Sequence, residues 1–364
     1  MNTPCLRVLQ VVSSSATSGA ERQTLLISKR LARDGHHVEV VCPPIEWMVN
    51  ELEQSGIHCH PIDMRAGWGL PAIRRIAQVT KAGRFQVIHA HLSRATYLGL
   101  VVGTARGVPL VSTVHVETKE PVYKFSAHGK NRLVAVSNFI RGVLRGQGVR
   151  DRFIDVVYNG TDFSDVTLDV SEDVHVELGL PAERRLVGLV GRVAEEKGHG
   201  IAVAAMPRVL DRHPDTHLLC VGRQDGDYPK LIQDEVHKLG IADRVTFTGH
   251  REDVARLFDA MHFSILPSVM ESFGLAVIEC MARGRPVVAS NVGALSELII
   301  PHETGLLVEN NPESFYKGMD FMLAHDDERL RMGENAERLI REKFTLDQMV
   351  ERLEAVYVKA AGLG

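Results

Sequence analysis

Aromatic side chains are scarce. Phe, Tyr and Trp make up 5% of the 364 residues, too few for a row of base-stacking platforms. The formal net charge of -4 gives no basic footprint for the chain as a whole. Nucleic acid is therefore not an expected partner. Cysteine is also sparse: Cys5, Cys42, Cys59, Cys220 and Cys280 form no CxxC pair and mostly sit in apolar runs. Free core thiols in a reducing cytoplasm are expected rather than a disulfide scaffold. No window approaches ~18 uninterrupted apolar residues, so no membrane span is predicted. The opening MNTPCLRVLQVVSSS lacks a basic segment before a long apolar stretch, and a signal peptide is not expected. The expected location is cytoplasmic, with peripheral attachment to the cytoplasmic face of a membrane left open. The motifs GxGxxG, GxSxG, HExxH and the Walker P-loop are all missing.

What is present is ordinary globular composition, with 45% hydrophobic and 24% charged residues. At roughly 100–200 residues per domain, two domains are expected. Short β-branched runs recur, each followed by a helical pattern. The first half offers 6–13, 38–42, 87–91, 110–114, 133–137 and 156–158. The second offers 186–191, 217–222, 245–248, 263–267, 286–289 and 305–308. Apolar runs of this kind suit strands buried on both faces. Strand and helix alternating through both halves predict an α/β chain with two doubly wound parallel sheets. The acidic, aperiodic stretch near 162–181 reads as a linker. The expected division is residues 1–165 and 166–345, with a last helix over about 346–361 for which the first domain is a candidate surface.

In open α/β sheets ligands bind beyond the carboxyl ends of strands, so the loops after strands hold the candidate residues. SSSATSGAERQ follows the first strand, with Ser18 and Gly19 just before a helix whose amides favour a phosphate. VGLVGRVAEEKGH places Arg192 and Lys197 beside a turn past a strand end, a fork and a point charge suited to a pyrophosphate. PSVMESFGLAVIECMARGRPVVAS is the most informative string. Glu271 precedes Ser272, Phe273, Gly274 and Leu275 at a helix start, and Glu279 lies seven residues beyond it amid apolar neighbours. A carboxylate in that setting needs a partner, and a ribose diol supplies two donors to one carboxylate. Two other patterns carry less. Asp225-Gly226-Asp227 has the DxD form of a metal motif but reads as a turn. His89-Ala90-His91 is an HxH without a visible third ligand, and His91 is instead a candidate for lining the cleft that two facing domains would form.

The Glu271 to Glu279 string resembles the E-x7-E motif of retaining glycosyltransferases of the GT-B fold, glycosyltransferase family 4. The resemblance extends through SGAERQTLLISKRLARDGHHVEVV, VIHAHLSRATYLG, STVHVE, VAVSNFIR, VVYNGTDF, GRVAEEKG, TFTGHREDVARLFDAMHFSILPS, ASNVGALSELI and ETGLLV, in the family's usual order. It implies two Rossmann-like domains, an N-terminal acceptor domain and a C-terminal nucleotide-sugar domain, facing a central cleft. Glu271 would contact donor-sugar hydroxyls, and Phe273, Gly274 and Leu275 would offer amides to the sugar and diphosphate. Glu279 would hold the ribose, and Arg192 and Lys197 would neutralise the departing diphosphate. Gly19 would approach the phosphates or the acceptor. His115, in STVHVE, matches the family histidine beside the donor sugar.

The implied activity is sugar transfer, with retention, from a nucleotide-diphosphate sugar. UDP-sugars are the commonest donors among such proteins. A glycan, a lipid-linked glycan or a small molecule would be the acceptor, in bacterial cell-surface polysaccharide or lipopolysaccharide assembly. No metal or other cofactor is expected. A sugar-nucleotide epimerase, a glycogen-type phosphorylase and a non-catalytic sugar-nucleotide binder are the alternatives; the phosphorylase would need a lysine carrying pyridoxal phosphate and usually a much longer chain. The sequence departs from the family pattern at Ser18-Gly19, where many relatives carry two glycines, and at VGRQDG, where Arg223 replaces a glycine-spaced loop.

Charge is divided unevenly. Residues 1–165 carry 20 Lys/Arg against 13 Asp/Glu, and the remainder 22 against 33. Arg74, Arg75, Lys81 and Arg84 form one basic group, and Lys124, Lys130, Arg132, Arg141, Arg145, Arg150 and Arg152 a second. Together they are a candidate contact for anionic lipid.

Overall fold

A computed structural model describes residues 4–14, 19–64, 69–162 and 173–363. The chain divides into two compact units: Met1–Gly160 with Leu346–Gly364, and Thr161–Thr345. Most of the acidic linker lies outside the described residues.

The first unit is built on seven parallel strands: β1 (Arg7–Val12), β2 (His37–Cys42), β3 (His58–Pro61), β4 (Val87–His91), β5 (Leu110–Val114), β6 (Arg132–Ala135) and β7 (Ile154–Val156). Their order is β3-β2-β1-β4-β5-β6-β7. The central strands are buried on both faces, as helices packed on each side require, and they carry Gln10, His89, His91 and Thr113 as buried polar residues among the apolar ones. Strand β3, with sequence HCHP, lies at the sheet edge and has no apolar run. It is absent from the strands that the sequence predicts, for that reason. Strand β7 occupies 154–156 rather than the predicted 156–158.

The last helix, Leu346–Ala361, belongs to this unit. It buries Leu346, Met349, Val350, Leu353, Val356, Tyr357 and Ala360 against Leu6, Val8, Ile27, Leu31, Val87, Val111 and Val134. That spacing is one continuous helical stripe, and a 2.9 Å contact between His36 Nε2 and Glu354 Oε1 secures its edge.

The second unit has six parallel strands: β8 (Arg185–Val190), β9 (Thr216–Val221), β10 (Val245–Gly249), β11 (Phe263–Leu266), β12 (Val287–Ser290) and β13 (Gly305–Val308). The order β10-β9-β8-β11-β12-β13 puts the reversal of strand sequence between β8 and β11. In the first unit the reversal lies between β1 and β4. At such a point the loops leaving neighbouring strands diverge to opposite faces and open a crevice.

One group of basic residues is altered by the fold. Arg132 is a buried strand residue whose Nε donates to Asp155 Oδ2 at 2.7 Å. Arg141 is engaged by Asp151. Neither is a free cation for lipid. Arg74, Arg75, Lys81 and Arg84 are exposed. Among the described residues no helix is long and apolar enough to cross a membrane.

Candidate active site

In the second unit, the loops after β8 and β11 meet at the switch point. Gly198, with φ +71°, brings its backbone against Pro267; a Cβ there would lie 1.8 Å from the Pro267 carbonyl oxygen. The Val269 amide donates to the Glu196 carbonyl at 2.9 Å. Held by these contacts, Lys197 Nζ donates to Glu271 Oε2 at 2.7 Å, with both side chains largely shielded from water. Ser268 Oγ reaches the same carboxylate oxygen at 3.5 Å.

The loops after β9 and β12 close the group. Gly222 packs on the Gly191 backbone, and the Val193 amide donates to the Arg223 carbonyl at 2.8 Å. Gly293 packs on Glu271, where a Cβ would lie 2.0 Å from the Glu271 carbonyl oxygen, and the Ala294 amide donates to that oxygen at 2.9 Å. The Glu271 backbone is therefore held by the loop after β12, through Gly293 and Ala294, before its carboxylate does anything.

The remaining residues of the string follow directly. Ser272 is partly exposed, whereas Phe273 is buried, with its ring 6.2 Å from that of Phe344. Gly274 has φ +109° and precedes the short helix Leu275–Met281. Glu279 lies on that helix at intermediate exposure, while Val277, Ile278, Cys280 and Met281 are buried.

Arg192 is not joined to Glu271. Its guanidinium pairs with Glu196 on the surface, with about half of each side chain exposed, a contact of little energetic weight. Arg223 lies 3.6 Å from Asp225. Gly226 has φ +79°, and Asp227 stands at the N-cap position of the following helix without a side-chain cap hydrogen bond, so the DxD is a bend in the loop before that helix.

In the first unit, Gly19 begins the helix Gly19–Arg33, and Ser18 lies outside the described residues. Ser13 Oγ, after β1, accepts from the Ala95 amide at 3.1 Å, which ties the two switch-point loops together. His91 ends β4 and contacts His115, which follows β5: His91 Nδ1 and His115 Nε2 are 2.9 Å apart. The chain continues through His91 Nε2 to Gln10 Oε1 at 2.9 Å, and from Gln10 Nε2 to the Tyr357 hydroxyl at 3.5 Å. Tyr357 then meets His89 Nδ1 at 2.7 Å, and His89 Nε2 meets Thr113 Oγ1 at 2.7 Å.

Burial keeps these rings neutral. It pushes His89 down to about 3 and His115 down to about 4, and holds His91 well below the ordinary range. With neutral rings and the Gln10 amide oxygen facing His91, the donor directions follow. His115 Nε2–H donates to His91, His91 Nε2–H to Gln10, Gln10 to Tyr357, Tyr357 to His89, and His89 Nε2–H to Thr113. His115 is left with a lone pair on Nδ1. Both HxH rings are thus committed to hydrogen bonds. Gln10, Thr113 and Tyr357 had no visible sequence signal, because their partners are distant in the chain.

Beside this network Leu92 holds φ +74° and ψ 161°. That region is nearly reserved for glycine, and strain of this kind concentrates at functional loops.

Two family models match the chain: Glycosyltransferase Family 4 over residues 17–165 and Glycosyl transferases group 1 over residues 170–339. With two parallel-sheet Rossmann-like units and the Glu271 loop at a switch point, the chain belongs to the GT-B glycosyltransferases of this family. It is 31% identical over 276 residues to a D-inositol 3-phosphate glycosyltransferase of Segniliparus rotundus, an alignment that covers 70% of this chain and 62% of that protein. Its fold is similar to that of a glycosyltransferase from Rickettsia africae, with TM-score 0.88 and 22% identity over 98% of this chain and 99% of that one. It is also similar to Anabaena HepE in complex with UDP-glucose, with TM-score 0.86 and 22% identity over 96% and 98% of the two chains.

Proposed function

We propose that the chain transfers a sugar, with retention of anomeric configuration, from a nucleotide-diphosphate sugar to a hydroxyl of a glycan, lipid-linked glycan or small molecule. The bond between C1 and the diphosphate oxygen breaks and a bond from C1 to the acceptor oxygen forms. Positive charge develops on the ring and negative charge on the leaving diphosphate. The observation that carries this reading is the Lys197–Glu271 pair, set by glycine contacts at the switch point of the second unit.

A fixed cation beside the place where diphosphate charge grows stabilises the transition state more than the ground state. Lys197 is assigned that role, and Arg192 joins it after releasing its exposed partner. Glu271 receives sugar hydroxyls, and Glu279 receives the ribose diol. Phe273, Gly274 and Leu275 contribute main-chain groups, while Gly19 and Ser18 belong to the acceptor side. His115 offers its Nδ1 lone pair to a sugar hydroxyl. With cations supplied by side chains, the transfer is assigned no metal. UDP is the first base to test, in keeping with UDP-glucose bound to HepE.

The test is release of nucleoside diphosphate from UDP-, GDP- and ADP-sugars with a panel of acceptors, with the product anomer read by NMR. Lys197→Ala and Glu271→Ala are expected to lower turnover by about 10²–10³-fold, the usual effect of losing one preorganised charge-stabilising group. Acceptor-independent release of a C2-inverted sugar would indicate an epimerase instead. Donor binding without turnover under any acceptor would indicate a binding protein.

A further inference from the structure

The edge of the first sheet carries a second cluster of chemistry-bearing side chains. Strands β2 and β3 pair in parallel, with Glu39 opposite His58 and Val41 opposite His60. Alternation along each strand puts His37, Glu39 and Val41 of β2 and His58 and His60 of β3 on one face, with Glu39 between the histidines of both strands. The opposite face takes Val40, Cys42 and Cys59 into an apolar cluster. Glu39 Oε2 lies 2.6 Å from His60 Nε2, and Glu39 Oε1 lies 2.9 Å from His37 Nε2. The His58 and His60 rings are 4.4 Å apart and nearly perpendicular. One ligand atom each from Glu39, His58 and His60 falls within 4.8 Å of the others.

We propose that Glu39, His58 and His60 bind a divalent transition metal of borderline softness, Zn²⁺ in the first instance. The donor set selects the class. Two imidazoles and one carboxylate suit Zn²⁺, Ni²⁺ or Cu²⁺, whereas Ca²⁺ and Mg²⁺ require an oxygen-rich shell. Cys59 is in the middle of the HCH triplet but faces the other side of the sheet, so no thiolate competes.

Metal–nitrogen and metal–oxygen bonds of about 2.0–2.2 Å put tetrahedral ligand atoms roughly 3.3 Å apart. The ligand atoms need only small side-chain adjustments to reach that spacing. His37 holds the second carboxylate oxygen and so orients Glu39, as a partner behind a metal ligand does. His58 is exposed, which gives the ion a path from solvent and leaves a fourth position for water. The bound ion would join the four-residue edge strand β3 to its neighbour in the sheet, β2.

The test uses the full chain, free of any polyhistidine tag and stripped with chelator, titrated with Zn²⁺ by calorimetry. One ion per chain at micromolar affinity or tighter is expected, with a thermal midpoint that rises with free Zn²⁺. Co²⁺ should give visible bands of a nitrogen–oxygen site without thiolate charge transfer. His58→Ala removes an exposed ring, so it should fold as the parent does and still weaken Zn²⁺ binding by roughly tenfold or more. His60→Ala should do the same. Absence of saturable binding, binding unchanged in His58→Ala, or a thiolate band would overturn the proposal.

Discussion

Lys197 and Glu271 were legible in the sequence because each follows a strand directly, where the fold exposes loops. Their direct pairing was not, since 74 positions separate them. The network behind His115 was less visible still. Tyr357 and His89 are 268 positions apart, and the HxH pattern that holds His89 gives no hint of Tyr357. Because Tyr357 is the donor that completes His89, Tyr357→Phe leaves a buried ring nitrogen without its partner. Its expected cost is about 1–3 kcal/mol, the usual penalty for an orphaned buried acceptor, measured by denaturant unfolding of the variant beside the parent. A change within experimental scatter would show that the Tyr357 hydroxyl is not what satisfies His89.

At the scale of elements, the apolar strands were readable and the edge strand was not. The runs at β1, β4, β5, β8, β9 and β11 are apolar enough, and lie close enough to helical patterns, to announce themselves. HCHP at β3 is four residues long, has no β-branched residue and lies at the sheet edge, so its strand character comes from its neighbour rather than from itself. The glycines that knit loops together were equally silent, because close approach is a property of the partner backbone. Gly198 and Gly293 therefore make sharp tests. A methyl group at either position meets a carbonyl oxygen at 1.8 or 2.0 Å, and main chain must shift to admit it. Gly198→Ala and Gly293→Ala are each expected to destabilise the second unit by ~1–3 kcal/mol. Turnover should fall with them, because the Lys197–Glu271 geometry depends on these contacts. Full activity in Gly293→Ala would show that the Glu271 loop tolerates displacement.

For the whole molecule, buried histidines set the response to acid. Burial lowers His89 to about 3, and His115, His199, His217 and His262 to about 4, from the ordinary 6.5. The folded chain keeps these rings neutral while the unfolded chain protonates them below about pH 6.5. Stability is thus fully present above about pH 6.5 and declines as pH falls toward 4, where proton uptake by the unfolded state is greatest. Unfolding midpoints measured at pH 8, 6 and 4.5 should be flat in the first interval's upper part and fall steeply in the second. His217→Gln should reduce the slope. Equal midpoints at pH 8 and 4.5 would contradict the burial of these rings.

If the Glu271 to Glu279 string forms a nucleotide-sugar site, calorimetric titration of UDP, GDP and ADP into the parent chain and into Glu279→Ala will show it. One of the three should bind at micromolar affinity, and loss of the ribose contact should weaken it by about 1–3 kcal/mol. Binding of none of them, or equal binding by Glu279→Ala, would contradict the assignment.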